Sequence, residues 1–305
     1  MFPPNLTCCY LYPITRYGYP PPAGGTLQYL DEMAALGFQS VELEGIREAH
    51  LLEVHDMRFA IRDRLRERAL QVPVYCIVLP GLSSPEFAER KANLALFEKG
   101  CETAQTLGAT GVLDNAPLPP WRFPADIPVT RHYDEEVLAA ASLPPGLNWS
   151  RYWQDMTATY REACDMAAHY GLSYHMHPCH GVLAATTDAF LYFADAVNRD
   201  NLRFNLDTAN QFFLRDNLAL SLLRLADRID YIHLSDNRGQ HVEHLVPGDG
   251  TIPWDSFFEA LEKVRFRGHF GIDVGGAETG IDDLDSAYLR SAHWLGSQLQ
   301  KINLL

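Results

Sequence analysis

No window of about 18 consecutive apolar residues, the length a bilayer-spanning helix needs, occurs in this chain, so no membrane span is expected. Its start, MFPPNLTCCYLYPI, lacks the basic stretch and following apolar stretch of a secretory leader, which makes a cytoplasmic location the expectation. The six cysteines, Cys8, Cys9, Cys76, Cys101, Cys164 and Cys179, include no C-x-x-C pair. In a chain of 305 residues this is neither a zinc ribbon nor the disulfide framework of a small secreted domain; reduced, buried thiols are expected. Basic charge is scarce, with 25 Lys and Arg against 39 Asp and Glu and a net charge of −14. Because neutralising phosphates dominates nucleic-acid binding, nucleic acid is not an expected partner. The densest basic run, Arg58, Arg62, Arg64, Arg66 and Arg68, is interleaved with Asp63 and Glu67 at helical spacing and reads as a solvated helix face.

What is present is a regular alternation of short β-rich runs with longer amphipathic segments, the pattern of repeated βα units. Eight runs can be counted: LTCCYL, SVELE, VPVYCIVL, GVLDN, LSYHMH, LRFNLD, DYIHLS and HFGIDV. Helices fit between them and stop at glycine, over Thr26 to Leu36 before Gly37, from Ser84-Pro85 to Leu107 before Gly108, and over Trp153 to Tyr170 before Gly171. The expectation is α/β, a single (β/α)₈ TIM barrel spanning residues 1–305. One long gap, Ala116 to Ser150, follows the fourth strand and is rich in Pro and aromatics, so it reads as an insertion over the C-terminal face, where active-site lids form. A doubly wound open sheet would want G-x-G-x-x-G after the first strand, where this chain reads YLYPITRYGYP.

In such a barrel the polar residues at strand ends point into the mouth. Here they are Glu42 and Glu44 on strand two, Asp114 and Asn115 on strand four, His175 and His177 on strand five, Asp207 on six, His233 on seven and Asp273 on eight. Alternation sends His175 and His177 to one face. One strand-end histidine is more often a hydrogen-bonded structural residue, but His175, Asp207, His233 and Asp273 come from four consecutive strands about 4.8 Å apart and can surround one ion. Two imidazoles and two carboxylates suit Mn²⁺, Zn²⁺, Fe²⁺ or Co²⁺ better than all-oxygen Ca²⁺ or Mg²⁺ sites.

The phrases LGFQSVELEG, H-x-H-P on strand five, LDTAN, IHLSDNRG, HLVPGDGTIPW and GHFGID resemble the xylose-isomerase-like sugar isomerases and epimerases, a group that includes tagatose epimerases and inosose dehydratases. The resemblance spans nearly the whole chain. It implies one divalent ion, Mn²⁺ by preference with Zn²⁺, Co²⁺, Fe²⁺ or Mg²⁺ as alternatives, held by His175, Asp207, His233 and Asp273. Two of these match the family's Glu, Asp, His, Glu set; His175 and Asp273 replace its glutamates, and Asn210 replaces its substrate-contacting histidine. The catalytic candidates are His175, His177, Glu44 and Asp273, and the substrate-binding candidates are Asn210, Asp236, Arg238 and His244. Tyr10, Tyr12, Trp121, Phe123, Tyr133 and Trp149 either stack on a sugar or pack the lid.

The activity implied is proton abstraction beside the carbonyl of an unphosphorylated sugar, giving isomerisation or epimerisation. The alternative is a lyase or dehydratase that forms the same enolate and expels a β-substituent. A metal-binding barrel without catalysis, or a supporting subunit, is a third reading. The implied partner is a small sugar, and a homo-oligomer is compatible with all three.

Overall fold

The computed structural model describes residues 1–115, 117–123 and 135–304. Ten parallel β segments run along the chain: β1 (Leu6–Cys8), β2 (Ser40–Val41), β3 (Leu43–Ile46), β4 (Val74–Val78), β5 (Gly111–Asn115), β6 (Ser173–His177), β7 (Leu202–Phe204), β8 (Leu206–Asp207), β9 (Tyr231–Leu234) and β10 (His269–Ile272). They hydrogen-bond in the orders β2-β1-β10-β9-β8 and β3-β4-β5-β6-β7. The pairs β2/β3 and β7/β8 are each one strand broken at a single residue, Glu42 and Asn205, so the ten segments are eight barrel strands in a ring. This is the (β/α)₈ barrel that the alternation of runs implies.

A helix follows each strand: Thr26–Ala35, Arg47–Glu67, Phe87–Leu107, Trp149–His169, Thr187–Val197, Leu218–Leu225, Trp254–Val264 and Leu284–Lys301. The glycine stops hold, since Gly108 caps its helix in the left-handed conformation at φ 81° and Gly171 lies just past the fourth helix at φ 73°. That fourth helix starts earlier than the apolar pattern predicts, because the Asn148 side chain accepts a bond from the Arg151 backbone N–H at 3.1 Å and caps it. The basic run does lie on a helix face, with Arg64 bonded to Asp31 and Glu67 and Arg68 to Asp31. No helix among the described residues is long and apolar enough to cross a membrane.

Period-two alternation divides each strand between two environments. Residues such as Tyr75, Ile77, Val112, Tyr174, Met176, Ile232 and Phe270 join the main core beneath the helices. Val74, Cys76, Leu113 and Tyr231 form a separate small cluster inside the ring. The interior is too narrow for large side chains from every strand. A Cβ on Gly271 would run into Cys9 Sγ and Tyr231 Oη, and one on Gly111 would lie 2.6 Å from His175 Nε2. All six cysteines are buried thiols.

Overpacking this interior should cost about 1–3 kcal/mol. Gly271→Ala is expected to lower the unfolding free energy by that amount in urea titration; an unchanged midpoint would contradict this account of the barrel interior.

Candidate metal centre

Asp207 ends β8 and caps the short helix Thr208–Phe213: its Oδ1 accepts from the Asn210 backbone N–H at 2.8 Å and its Oδ2 from Asn210 Nδ2 at 2.9 Å. The same Oδ2 lies 3.0 Å from Nε2 of His177, the last residue of β6. His233, from β9, turns Nε2 onto Glu42 Oε2 at 2.8 Å. Its Nδ1 then faces Asp207 Oδ2 at 4.0 Å and Asp273 Oδ2 at 3.9 Å. His244 Nε2 reaches the same two oxygens, at 4.0 and 3.7 Å. Two triads that share Asp207, one with His177 and His233 and one with His244 and Asp273, thus meet at the C-terminal mouth, all five side chains buried.

Of the two strand-five histidines, the structure brings only His177 to this cluster. His175 lies two residues lower, with Nε2 2.7 Å from Ser173 Oγ and Nδ1 3.2 Å from Asp230 Oδ1. Asp230 immediately precedes β9, so the environment of His175 is the N-terminal end of the barrel. The expectation that His175 shares a site with Asp207, His233 and Asp273 is corrected to His177. Alternation puts both histidines on the inner face, but the stagger of strands in a closed barrel decides their height.

The remaining candidates divide. Asp273 is in the cluster, and Glu44 lines the cleft above it with Glu42 and Cys76. Asn210 holds Asp207 through its side-chain amide and is buried, rather than lining the cleft. Asp236 is occupied by its own loop, accepting from the backbone N–H of Asn237, Gly248 and Ile252 and from Trp254 Nε1. That bonding ties down the phrase VPGDGTIPW as the entry to the helix Trp254–Val264. Arg238 is half-exposed and pairs with Glu243 at 3.0 Å, beside a separate surface hollow. Asp114 points out of the ring, accepting from Tyr174 Oη at 3.1 Å, and burial raises its pKa. Tyr10 and Tyr12 are packed into the core and Trp149 stands half-exposed against Trp153, whereas Tyr133 and the segment around it lie outside the described residues. The role of Glu42 shows only in its pairing across the ring with His233, and Tyr19 joins the cleft from outside the strand ends.

Above the cluster opens a narrow cleft whose cavity volume is about 40 Å³. Its polar wall is Glu42, Glu44, Asn115, His177, His233 and Asp273; its apolar wall is Leu11, Ile14, Tyr19, Val78 and Leu113, with Cys76 and Cys179. No Lys or Arg is among the described residues lining it.

Burial would depress the pKa of His233, yet the carboxylates of Glu42, Asp273 and Asp207 push it up to about 9. Burial also opposes ionisation of Glu42, and His233 outweighs it, so Glu42 sits below its ordinary value. For His177, burial outweighs Asp207 and the pKa falls. The fit to a divalent cation rests on the donor set and on an orphaned atom. Oxygen and imidazole nitrogen converge within ligand range, and the buried His233 Nδ1, aimed between two carboxylates, has no hydrogen-bond partner.

A family model described as xylose isomerase-like TIM barrel matches residues 30–298. The L-ribulose 3-epimerase of Methylomonas sp. (strain DH-1) is 33% identical over 78 residues, 26% of this chain and 26% of that protein. The D-psicose 3-epimerase of Enterocloster bolteae is 26% identical over 88 residues, 29% of this chain and 28% of that protein. The chain thus spans little more than a quarter of the length of these curated relatives in the matched stretches. A D-allulose 3-epimerase structure from Methylomonas sp. superposes with a TM-score of 0.75 at 18% identity, covering 98% of this chain and 99% of that one. A 3-keto-D-glucoside 4-epimerase from E. coli gives 0.71 at 17%, covering 96% and 99%. At these identities the likeness is one of fold.

In metal-free protein the raised His233 pKa makes its pairing with Glu42 a source of stability, complete below the unfolded value of 6.5 and lost as pH rises through about 9. The thermal midpoint of the metal-free chain is therefore expected to fall more steeply from pH 7 to pH 9.5 than that of Glu42→Gln; parallel profiles would contradict the pairing.

Proposed function

Because the chain belongs to the xylose isomerase-like TIM-barrel family, we propose that it is a sugar isomerase or epimerase that removes and returns a proton beside the carbonyl of an unphosphorylated sugar. The observation that carries this reading is the buried grouping of His177, Asp207, His233 and Asp273 at the mouth of a barrel, under a cleft whose wall carries Glu42, Glu44 and Asn115. The likeness to ribulose and psicose 3-epimerases supports it. These four side chains would hold one divalent ion. Such an ion would supply Lewis acidity to a sugar carbonyl and so make the adjacent C–H more acidic.

The chain's own residues supply the rest. Asn210 and the N-terminus of its helix hold Asp207 ionised in the absence of water, and Glu42 fixes the ring of His233 so that Nδ1 faces the centre. Glu44 and Asp273 line the cleft together with Glu42, whose Oε2 bonds the ring of His233. One of the two takes the proton from carbon and the other returns it; Asp273 is the shorter and is anchored on its strand by its backbone N–H to Leu234 O at 3.1 Å. The acidic wall with no described Lys or Arg disfavours phosphorylated and carboxylated sugars, whose charge it would repel. The apolar wall of Leu11, Ile14, Tyr19 and Val78 favours a second reading, elimination from a 3-keto-glycoside, because it offers a face for an apolar leaving group.

Incubation of metal-loaded protein with ketohexoses and 3-keto-glycosides in D₂O separates these. Deuterium entering recovered sugar, with an epimer appearing, is the expected result; release of the aglycone would select elimination, and neither would refute both. Asp273→Asn is expected to lower turnover by about 10²–10⁴-fold. Sugar phosphates are expected to be poorer substrates by at least about tenfold, a margin of 1.4 kcal/mol.

A further inference from the structure

The loop after β9 delivers a third imidazole to the centre. His244 is fully buried, its Nε2 is 3.7 Å from Asp273 Oδ2 and 4.0 Å from Asp207 Oδ2, and its Nδ1 lies 3.4 Å from Glu278 Oε1. The loop that carries it is not loosely placed. Asp236 and Leu245 exchange both backbone hydrogen bonds, the His244 carbonyl accepts from the Gly275 N–H at 3.0 Å, and the His244 N–H donates to Thr279 Oγ1 at 3.2 Å. Asp236 gathers the far side of the loop through Gly248, Ile252 and Trp254. A buried ring so anchored, with one nitrogen turned to a carboxylate outside the centre and the other to two carboxylates inside it, has the geometry of an oriented ligand.

We infer that His244 is a fifth metal-binding side chain, positioned by Glu278, and that the resulting set of three imidazoles and two carboxylates makes the centre select Zn²⁺ or Co²⁺ over Mn²⁺. The inference rests on the proposed metal centre and goes beyond it in ligand number and metal preference. Its reason is ligand chemistry. Imidazole nitrogen favours the later first-row ions more strongly than carboxylate oxygen does, so each imidazole added to a mixed site widens their advantage over Mn²⁺. The choice departs from the Mn²⁺ anticipated from sequence, where His244 was a candidate for substrate oxygens.

The test is metal binding to the full chain, with Zn²⁺ and Co²⁺ measured by chelator competition and Mn²⁺ by electron paramagnetic resonance. His244→Ala is expected to weaken Zn²⁺ by about tenfold or more while changing Mn²⁺ less than about threefold, and to alter the visible absorption of the Co²⁺ form. Glu278→Gln should weaken Zn²⁺ in the same direction with a smaller loss. Circular dichroism confirms that each variant folds. Asp207→Asn serves as the reference that separates the two readings. If Asp207→Asn loses the metal and His244→Ala keeps the affinities and spectrum of the parent, the centre stands and His244 is not a ligand. If the parent binds none of the three ions, both readings fall.

Discussion

Burying carboxylates without solvent is the constraint around which this barrel mouth is organised. Asp207 is fully buried, and an isolated ionised carboxylate there would be prohibitively costly. It is kept ionised by donors on every side: a helix-start N–H and the amide of Asn210, the ring of His177, and the rings of His233 and His244 farther off. Those groups together hold its pKa well below the usual range despite burial. Each of them is in turn fixed by something else, so the arrangement extends outward from one side chain.

The breaks in the ring lie beside this centre. Strand two is interrupted at Glu42 and strand six at Asn205, two residues before Asp207. At Glu42 the side chain crosses the mouth to His233, from a strand three places away around the ring, past β1 and β10. A barrel strand continued with regular pairing would hold such residues to the spacing of the ladder, and local interruption is a recurrent way of re-aiming a side chain next to a site. The small interior residues Gly111 and Gly271 serve the same end, leaving room for His175, Tyr231 and Cys9 below the centre.

The loop after β9 shows how one residue type can have two uses at close range. Asp236 and Asp207 are both buried strand-end carboxylates. Asp236 is consumed by four donors of its own loop and organises backbone, whereas Asp207 faces imidazoles and organises a centre. Their difference lies in which groups arrive, and those groups come from loop closure. Arg238, in the same phrase, folds back on Glu243, and no Lys or Arg is among the described residues lining the cleft.

Residue order alone determined the eight-unit alternation, the helix stops at Gly108 and Gly171, and the concentration of His, Asp and Glu at the C-terminal strand ends, because each of these is written in local periodicity and in residues with restricted conformations. It also determined that His175 and His177 share the inner face. Only the tertiary structure decided which of them meets Asp207, that Glu42 engages His233, that the Asn210 amide bonds Asp207, and that His244 returns from a loop to face Asp207 and Asp273. Alternation specifies a side of the strand but not a height. Height follows from the stagger by which eight strands close into a ring, and the arrival of a loop follows from contacts between residues far apart in the chain.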